Sequence, residues 1–151
     1  MKVLGLMGSP RRNGNTSVLV NSILEGARQA GAETRAMHLV DHLKRGCLAC
    51  FDCMDTGECA GKDVREIHGA MMNTDALVLG TPIYYGGVSS KVAQWRERLW
   101  APMHNKHFRE RWIEKGMPTV LAYTCSNEAD FYEGYFAGAV GHLRFAGLLA
   151  T

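Results

Sequence analysis

Four of the five cysteines in this sequence, Cys47, Cys50, Cys53 and Cys59, lie within thirteen consecutive positions. Their spacing brings several thiolates within reach of one centre, and four thiolates are the ligand set of a [4Fe–4S] cluster. A disulfide framework instead spreads its cysteines along the chain, so the clustering favours a metal or redox centre in a reducing compartment. We expect the fifth cysteine, Cys125, to be a strand residue rather than a ligand.

Three other interpretations of the cysteine segment stay open. Four thiolates also form a closed tetrahedral zinc site, although zinc motifs usually divide into two separated pairs. Two of the cysteines could form a redox disulfide. Four free buried thiols, which behave as small hydrophobic side chains, are the purely structural alternative. The compact spacing favours an iron–sulfur cluster over these three.

A second candidate site is the loop Gly8–Ser17, which follows a short apolar run and precedes a helical pattern. Glycines allow close backbone approach, and the start of a helix presents free N–H groups with a partial positive charge. The loop therefore predicts a phosphate site, although it lacks the Gly-Lys-Ser/Thr ending of nucleotide P-loops and does not match Gly-x-Gly-x-x-Gly. The alternative is a plain helix start capped by Asn15 or Thr16. Polar side chains available to a phosphate are Ser9, Arg11 or Arg12, Asn13, Asn15, Thr16 and Ser17.

A third candidate segment, 80–89, places Tyr84 and Tyr85 between glycines after another apolar run. A planar isoalloxazine needs a flat surface and nearby backbone donors, which such a segment supplies. Tyrosines packed in a turn explain the residues equally well when this segment is taken alone. In a sheet of order 2-1-3-4-5, however, this segment and the phosphate loop meet at the switch point between neighbouring strands. The two segments together predict one flavin mononucleotide site, and residues 124–127 are expected to reach the same crevice.

Short apolar runs alternate with helical periodicity along the whole chain. Runs without polar alternation are typical of parallel strands covered by helices on both faces. The sequence thus predicts a single α/β domain over 1–151 with three αβα layers, a cysteine insertion at about 44–62 and no helix after the last strand. The predicted strands are Lys2–Met7, Glu33–Leu39, Ala76–Gly80, Thr119–Cys125 and Arg144–Thr151, and the predicted helices are Asn15–Ala30, Asp63–Asn73, Ser89–Met103 and Ala129–His142.

The composition limits the classes of partner. Hydrophobic residues make up 46% of the chain, charged residues 21%, and the formal net charge is +2. This balance gives no strong attraction to nucleic acid or membrane surfaces. No apolar run reaches the ~18 residues of a membrane span, and the first apolar stretch is too short for a signal peptide. We therefore expect a cytoplasmic protein with neither nucleic acid nor membrane as partner.

Taken together, the motifs at 8–17, 47–59 and 75–87, with Asp63 between them, resemble the iron–sulfur flavoproteins of the NADPH-dependent FMN reductase superfamily. The resemblance covers essentially the whole chain. It implies a flavodoxin-like fold with a parallel sheet of order 2-1-3-4-5, FMN, a [4Fe–4S] cluster, and homodimers or homotetramers. One departure is that Glu97-Arg98 stands where relatives often carry an aspartate–arginine pair.

The resemblance also assigns residues to each group. It implies that the FMN phosphate is bound by Ser9, Arg11, Asn13, Asn15, Thr16 and Ser17, the flavin ring by Pro82, Ile83, Tyr84, Tyr85, Gly86 and Gly87, and the cluster by Cys47, Cys50, Cys53 and Cys59.

The expected function is electron transfer between FMN and the cluster, with a small molecule or a protein as redox partner. The flavin chemistry needs no catalytic acid or base from the protein, and we predict no catalytic side chain. Some relatives with similar cysteines are plain flavin reductases, so an NAD(P)H-dependent FMN or quinone reductase without a cluster is the first alternative. A zinc-stabilised, non-catalytic binding module is the alternative from another class.

Overall fold

Five parallel strands form the central sheet of this computed structural model, which describes residues 1–126 and the strand at 145–150. The strands are β1 Lys2–Met7, β2 Glu33–His38, β3 Ala76–Tyr84, β5 Thr119–Thr124 and β6 Phe145–Ala150, with a short β4, Gly87–Val88, paired antiparallel to β3. Their order is β2-β1-β3-β5-β6. The predicted order of the five parallel strands, 2-1-3-4-5, is therefore confirmed.

Helices connect these strands. They are α1 Asn15–Gln29, α2 Leu39–His42, α3 Cys53–Thr56, α4 Arg65–Met72, α5 Ser90–Arg98, α6 Trp100–Met103 and α7 Lys106–Arg109, with a 3₁₀ turn at Lys62–Val64 and a π-helical turn at Glu110–Glu114. None of the helices in the described ranges is long and apolar enough to cross a membrane. The predicted helix Ala129–His142 lies outside the described residues.

The inner strands β1, β3 and β5 are apolar along most of their length because both faces of the sheet are covered, whereas the edge strand β2 is polar and largely exposed. In β1, Val3 and Met7 belong to the core on the α1 side, whereas Leu4 and Leu6 belong to the core on the opposite side. Successive strand residues point to opposite faces, so a strand buried on both faces needs apolar residues at every position. This arrangement confirms the three-layer αβα architecture.

Gly8, just after β1, and Gly80, in the middle of β3, let two helices approach the sheet closely. A Cβ at Gly80 would lie 2.3 Å from Val20 of α1, and a Cβ at Gly8 would lie 2.3 Å from Val92 of α5. Both distances are far below van der Waals contact. These two glycines therefore place the starts of α1 and α5 against the edge where the candidate loops lie.

Two predicted elements differ from the structure by more than two residues at one end. The helix expected over Ser89–Met103 breaks at Leu99, between α5 and α6. Pro102 explains the break, because its ring excludes a helical bond to the carbonyl of Arg98.

The strand expected to end at Gly80 continues to Tyr84 and turns back into β4. Tyr85 and Gly86 form the turn with φ of 51° and 76°, which is the two-residue hairpin geometry of a type I′ turn. The segment interpreted as a loop is thus a hairpin.

Candidate functional site

The first loop is fixed at its base to the middle of β3. The Gly8 N–H donates to the Gly80 carbonyl at 2.7 Å, and the buried Ser89 hydroxyl donates to the Gly8 carbonyl at 2.8 Å. Ser89 also caps α5 by accepting from the Val92 N–H. One serine therefore joins the two candidate loops and starts the following helix, a role that the sequence analysis did not assign.

Helix α1 begins without a side-chain cap. Its N-cap is Gly14, which has no side chain to accept from the first N–H groups, and the first turn contains no acidic residue. The alternative in which Asn15 or Thr16 caps the helix is therefore wrong. Since the first N–H groups of a helix need acceptors, this end is suited to an anion that supplies them.

Two serines organise the first loop internally. The Ser9 hydroxyl accepts from the Arg11 N–H at 3.1 Å, and the Ser17 hydroxyl donates to the Arg11 carbonyl at 3.2 Å. Both serines are buried. The backbone of Arg11 is thus held from both sides, while its side chain lies at the exposed surface of the loop.

The first loop, β3 and the end of β5 enclose one cavity of about 400 Å³ at the carboxyl edge of the sheet. The hydroxyls of Thr16 and Thr124 are hydrogen-bonded at 2.8 Å on its wall and join α1 to β5. The lining residues are Ser9, Arg11, Gly14, Asn15, Thr16, Pro82, Ile83, Tyr84, Thr124, Cys125 and Ser126. Seven of the twelve residues predicted to bind FMN are in this set.

The other five predicted FMN residues lie outside that lining. The Ser17 side chain is buried beneath the loop, and Tyr85 is fully exposed at the hairpin turn. Asn13, Gly86 and Gly87 also fall outside it. The hairpin therefore lies at the rim of the cavity, and Thr124, Cys125 and Ser126, at and just after the end of β5, complete the wall.

The four clustered cysteines line a second cavity, of about 310 Å³. Cys47 and Cys50 are exposed, whereas Cys53 and Cys59 are half-buried. Much of the remaining wall is apolar and includes Leu48, Phe51, Ala49, Trp100 and Ala101. The structure thus places four thiols, which the sequence spaces over thirteen positions, along the wall of one cavity.

All four thiols are free in this structure, and across residues 1–126 no three His, Cys, Asp or Glu side chains form a group that could hold a metal ion. Burial raises the pKa of the Cys53 thiol, and the charges of Cys59, Cys47 and Cys50 raise it further. Four thiolates in one apolar cavity repel one another, and a bound cation relieves that repulsion. The donor set therefore fits a thiophilic metal or an iron–sulfur cluster, provided that the segment draws the sulfurs together.

The buried Arg98 of α5 holds the cysteine segment from within the fold. Its guanidinium donates to both Asp63 oxygens, at 2.7 and 2.9 Å, and to the carbonyls of Gly61 and Arg45 at 2.7 and 3.2 Å. It also lies 3.4 Å from the sulfur of Cys59. The hydrogen bonds from Arg98 hold the pKa of Asp63 far below its usual range. One side chain thus contacts residues on both sides of the segment.

The neighbouring Glu97 fixes the start of the cysteine segment. Its carboxylate accepts from the Cys47 N–H at 3.2 Å, and a Cβ at Gly46 would lie 2.6 Å from the same carboxylate. The departure noted in the sequence, Glu97-Arg98, therefore holds the cysteine segment rather than the flavin loop. The sequence did contain a signal for this role, a charged pair on a helix that follows the cysteines. The residues that the pair contacts are remote in the chain, so the signal did not identify them.

The model of the NADPH-dependent FMN reductase family matches residues 1–126. An iron–sulfur flavoprotein of Archaeoglobus fulgidus is 35% identical over 138 residues, which are 82% of this chain and 68% of that protein. An iron–sulfur flavoprotein of Methanocaldococcus jannaschii is 39% identical over 99 residues, 65% of this chain and 51% of that protein. Among solved structures, an NAD(P)H:quinone oxidoreductase of Methanothermobacter marburgensis superposes with a TM-score of 0.74 at 18% identity, over 99% of this chain and 85% of that one.

Fold and site together define a flavodoxin-like α/β protein with a cavity at the switch point of its parallel sheet. The chain belongs to the NADPH-dependent FMN reductase family, among the iron–sulfur flavoproteins, as its motifs indicated. It spans about half the length of the M. jannaschii relative (51%) and of a second A. fulgidus relative (46%).

Proposed function

We propose that this protein is an FMN-dependent oxidoreductase that passes electrons between FMN and a [4Fe–4S] cluster. The observation that carries the proposal is the single cavity of about 400 Å³ enclosed by the first loop, the end of β3 and the end of β5. Such a cavity at the carboxyl edge of an open parallel sheet is where ligands of these folds bind. Family membership supports the choice of FMN.

Different residues of the cavity would contact the phosphate and the ring of FMN. The uncapped start of α1 offers N–H groups to the phosphate, and Arg11 adds a positive charge beside it. Pro82, Ile83 and Tyr84 provide the wall for the flavin ring, with the hairpin turn at its rim. Bound FMN would supply hydride and single-electron chemistry, and a cluster would supply one-electron exchange. The protein orients these groups and limits access of water.

The cluster would be held by Cys47, Cys50, Cys53 and Cys59. All four line one mostly apolar cavity, and thiolates are the ligands that iron–sulfur clusters take. The names of the curated relatives support this choice over zinc.

A second candidate is an NAD(P)H-dependent FMN or quinone reductase without a cluster. It is favoured by one observation: within residues 1–126 no three His, Cys, Asp or Glu side chains lie close enough together to hold a metal ion. In this case the cysteine segment would serve as a wall and an interaction surface rather than as a ligand set.

For the assembly we propose a homodimer or homotetramer in the cytoplasm, with NAD(P)H, ferredoxin or another small or protein redox partner. The cysteine segment and α6 expose Leu48, Phe51, Met54 and Trp100, each more than half exposed. A cluster of large exposed apolar side chains is typical of an interaction surface. Free clustered thiols support a reducing compartment.

The test is anaerobic purification followed by a visible spectrum and by FMN, iron, sulfide and zinc analysis. The leading proposal expects FMN together with iron and sulfide, and a Cys50→Ala variant that keeps FMN but loses iron. Cys125→Ala, outside the cysteine segment, should keep its iron. A protein that contains FMN but no iron would support the second candidate, the reductase without a cluster. A protein that binds no FMN would contradict both functions.

A further inference from the structure

Two of the clustered cysteines accept hydrogen bonds of different kinds. The sulfur of Cys47 accepts from the backbone N–H of Ala49 at 3.4 Å, a neutral donor within the segment. The sulfur of Cys59 instead lies 3.4 Å from Nη2 of Arg98, a charged donor on α5. The Cys59 contact therefore joins a candidate cluster ligand to the core of the domain.

The charge of Arg98 is buried and fixed in place. Its side chain is 1% exposed, against 16% for Asp63. Burial opposes the charge, and the hydrogen bonds to the Asp63 carboxylate and the Gly61 carbonyl compensate for it. Because no water screens this position, the guanidinium acts on the Cys59 sulfur more strongly than a surface charge could.

Asp63 and Cys59 share the hydrogens of one nitrogen. Nη2 carries two hydrogens but has three acceptors, namely the Gly61 carbonyl and an Asp63 oxygen, each at 2.7 Å, and the Cys59 sulfur at 3.4 Å. The Asp63 carboxylate makes a shorter contact with Arg98 than the Cys59 sulfur does, and it offsets the positive charge of Arg98. Asp63 therefore limits how much positive field reaches the sulfur.

We propose that Arg98 is a positioning residue for the iron–sulfur centre, that it holds Cys59 as a ligand and raises the reduction potential of the cluster, and that Asp63 moderates this effect. The inference rests on the proposed function. Its physical basis is that a donor or positive charge beside a ligating sulfur stabilises the reduced, more negative form of a cluster more than the oxidised form.

The proposal predicts shifts of opposite sign for the two partners of one ion pair. Arg98→Gln removes the positive charge and leaves Asp63 uncompensated, so the potential falls. Asp63→Asn keeps a side chain of the same shape but frees the Arg98 charge, so the potential rises. The double variant restores the net charge of the pair and should lie between the two. General damage to the fold would instead move both single variants in the same direction.

The experiment is redox potentiometry of the anaerobically purified proteins, monitored by visible and EPR spectra, with iron loss to a chelator as a second readout. Arg98→Gln should also release iron several times faster than the wild type, because Cys59 loses its anchor. Arg111→Gln and Asp75→Asn are matched controls, since this pair is linked at 3.0 Å and Arg111 donates to the Met72 and Thr74 carbonyls but to no cysteine. Both controls should keep the wild-type potential.

The outcomes distinguish a failure of the cluster proposal from a failure of this inference alone. A wild-type protein without iron would overturn both the cluster proposal and this inference. A wild-type protein with iron whose Asp63→Asn potential stays unchanged or falls would overturn the inference alone. If Arg98→Gln does not fold, Asp63→Asn against Asp75→Asn still tests it, because that change keeps the buried arginine and its contact with Cys59.

Discussion

The guanidinium of Arg98 forms a two-point ion pair with the carboxylate of Asp63 across 35 positions of the chain. Asp63 also accepts from the Lys44 N–H at 2.7 Å, and Arg98 also donates to the Gly61 carbonyl. The pair thus contacts backbone groups on both sides of the cysteine segment. This segment has little regular structure beyond the four-residue helix α3, so its placement depends on the pair.

We predict that Asp63→Asn makes the protein less sensitive to strong acid. The pKa of Asp63 is lowered in the fold by the Arg98 hydrogen bonds. The ionised carboxylate therefore contributes its full stabilisation to the free energy of unfolding above the unfolded pKa of about 3.9. This stabilisation is lost as the pH falls through the folded pKa, at a rate that cannot exceed roughly 1.4 kcal/mol per pH unit. Urea unfolding between pH 6 and 2 measures this slope. The exposed Asp75→Asn should change it less, and equal slopes for wild type and Asp63→Asn would contradict the prediction.

A second pH effect is predicted for His68, at higher pH. Burial, and then the charge of Arg98, lowers the pKa of His68 to about 4, and its Nε2 has no hydrogen-bond partner within the described residues. The fold therefore favours the neutral ring of His68. Above the unfolded pKa of about 6.5 this preference does not lower the free energy of unfolding. The free energy of unfolding declines as the pH falls from there towards 4, because the unfolded chain takes up the proton first.

His68→Leu should make that decline less steep, and the remainder is expected from His38, whose pKa burial also lowers. Unfolding free energies of the variant, measured between pH 7 and 4, should fall less steeply than those of the wild type, by up to roughly 1.4 kcal/mol per pH unit. His107→Gln, at an exposed position, should keep the wild-type decline. A decline in His68→Leu as steep as that of the wild type would assign it to other groups.

Arg11→Ala is predicted to weaken FMN binding by roughly 10- to 100-fold, the range of one charge-assisted hydrogen bond. Arg11 lines the cavity beside the start of α1, whereas the adjacent Arg12 pairs with Asp41 outside it. Arg12→Ala is therefore the matched control and should bind FMN within a few-fold of the wild type. Quenching of flavin fluorescence during titration of flavin-free protein gives both constants.

Riboflavin, which lacks the phosphate, separates a phosphate contact from a general effect on the cavity. Arg11→Ala and the wild type should bind riboflavin equally. If the variant lost affinity for FMN and riboflavin alike, Arg11 would not act through the phosphate.

Two glycine-to-alanine changes are predicted to have opposite effects on stability. Gly86 lies in the hairpin turn with φ of 76°, where an alanine is strained by about 1–2 kcal/mol. Gly69 lies within α4 with open space around it, where an alanine favours the helix by about 0.5–1 kcal/mol. Chemical denaturation of Gly86→Ala and Gly69→Ala measures both. A stabilised Gly86→Ala would contradict the turn geometry.

The local pattern of the sequence was sufficient for the sheet and its order. Residues 3–7 are apolar because both sides of β1 are covered, and such runs separated by helical periodicity leave few topologies open. That topology brings the first loop and residues 82–84 to one edge of the sheet. The family followed from motifs, which are also local in sequence.

The hairpin and the break in the helix after Arg98 were missed, although both signals are local. Tyr85-Gly86 permits a type I′ turn, and Pro102 forbids a continuous helix. Neither signal is decisive alone, because a Tyr-Gly pair also suits a loop and a proline is tolerated in the first turn of a helix.

By itself the sequence determined which chemistry is available: a cluster of thiols, a glycine-rich loop before a helix, and a sheet that directs two segments to one edge. Only the tertiary structure decided which polar groups meet. The contacts of Arg98 with Asp63, Ser89 with Gly8 and Thr16 with Thr124 span 35, 81 and 108 positions. Such pairs depend on how helices pack on the sheet, and a hydrogen bond is lost when its partners move by about an ångström.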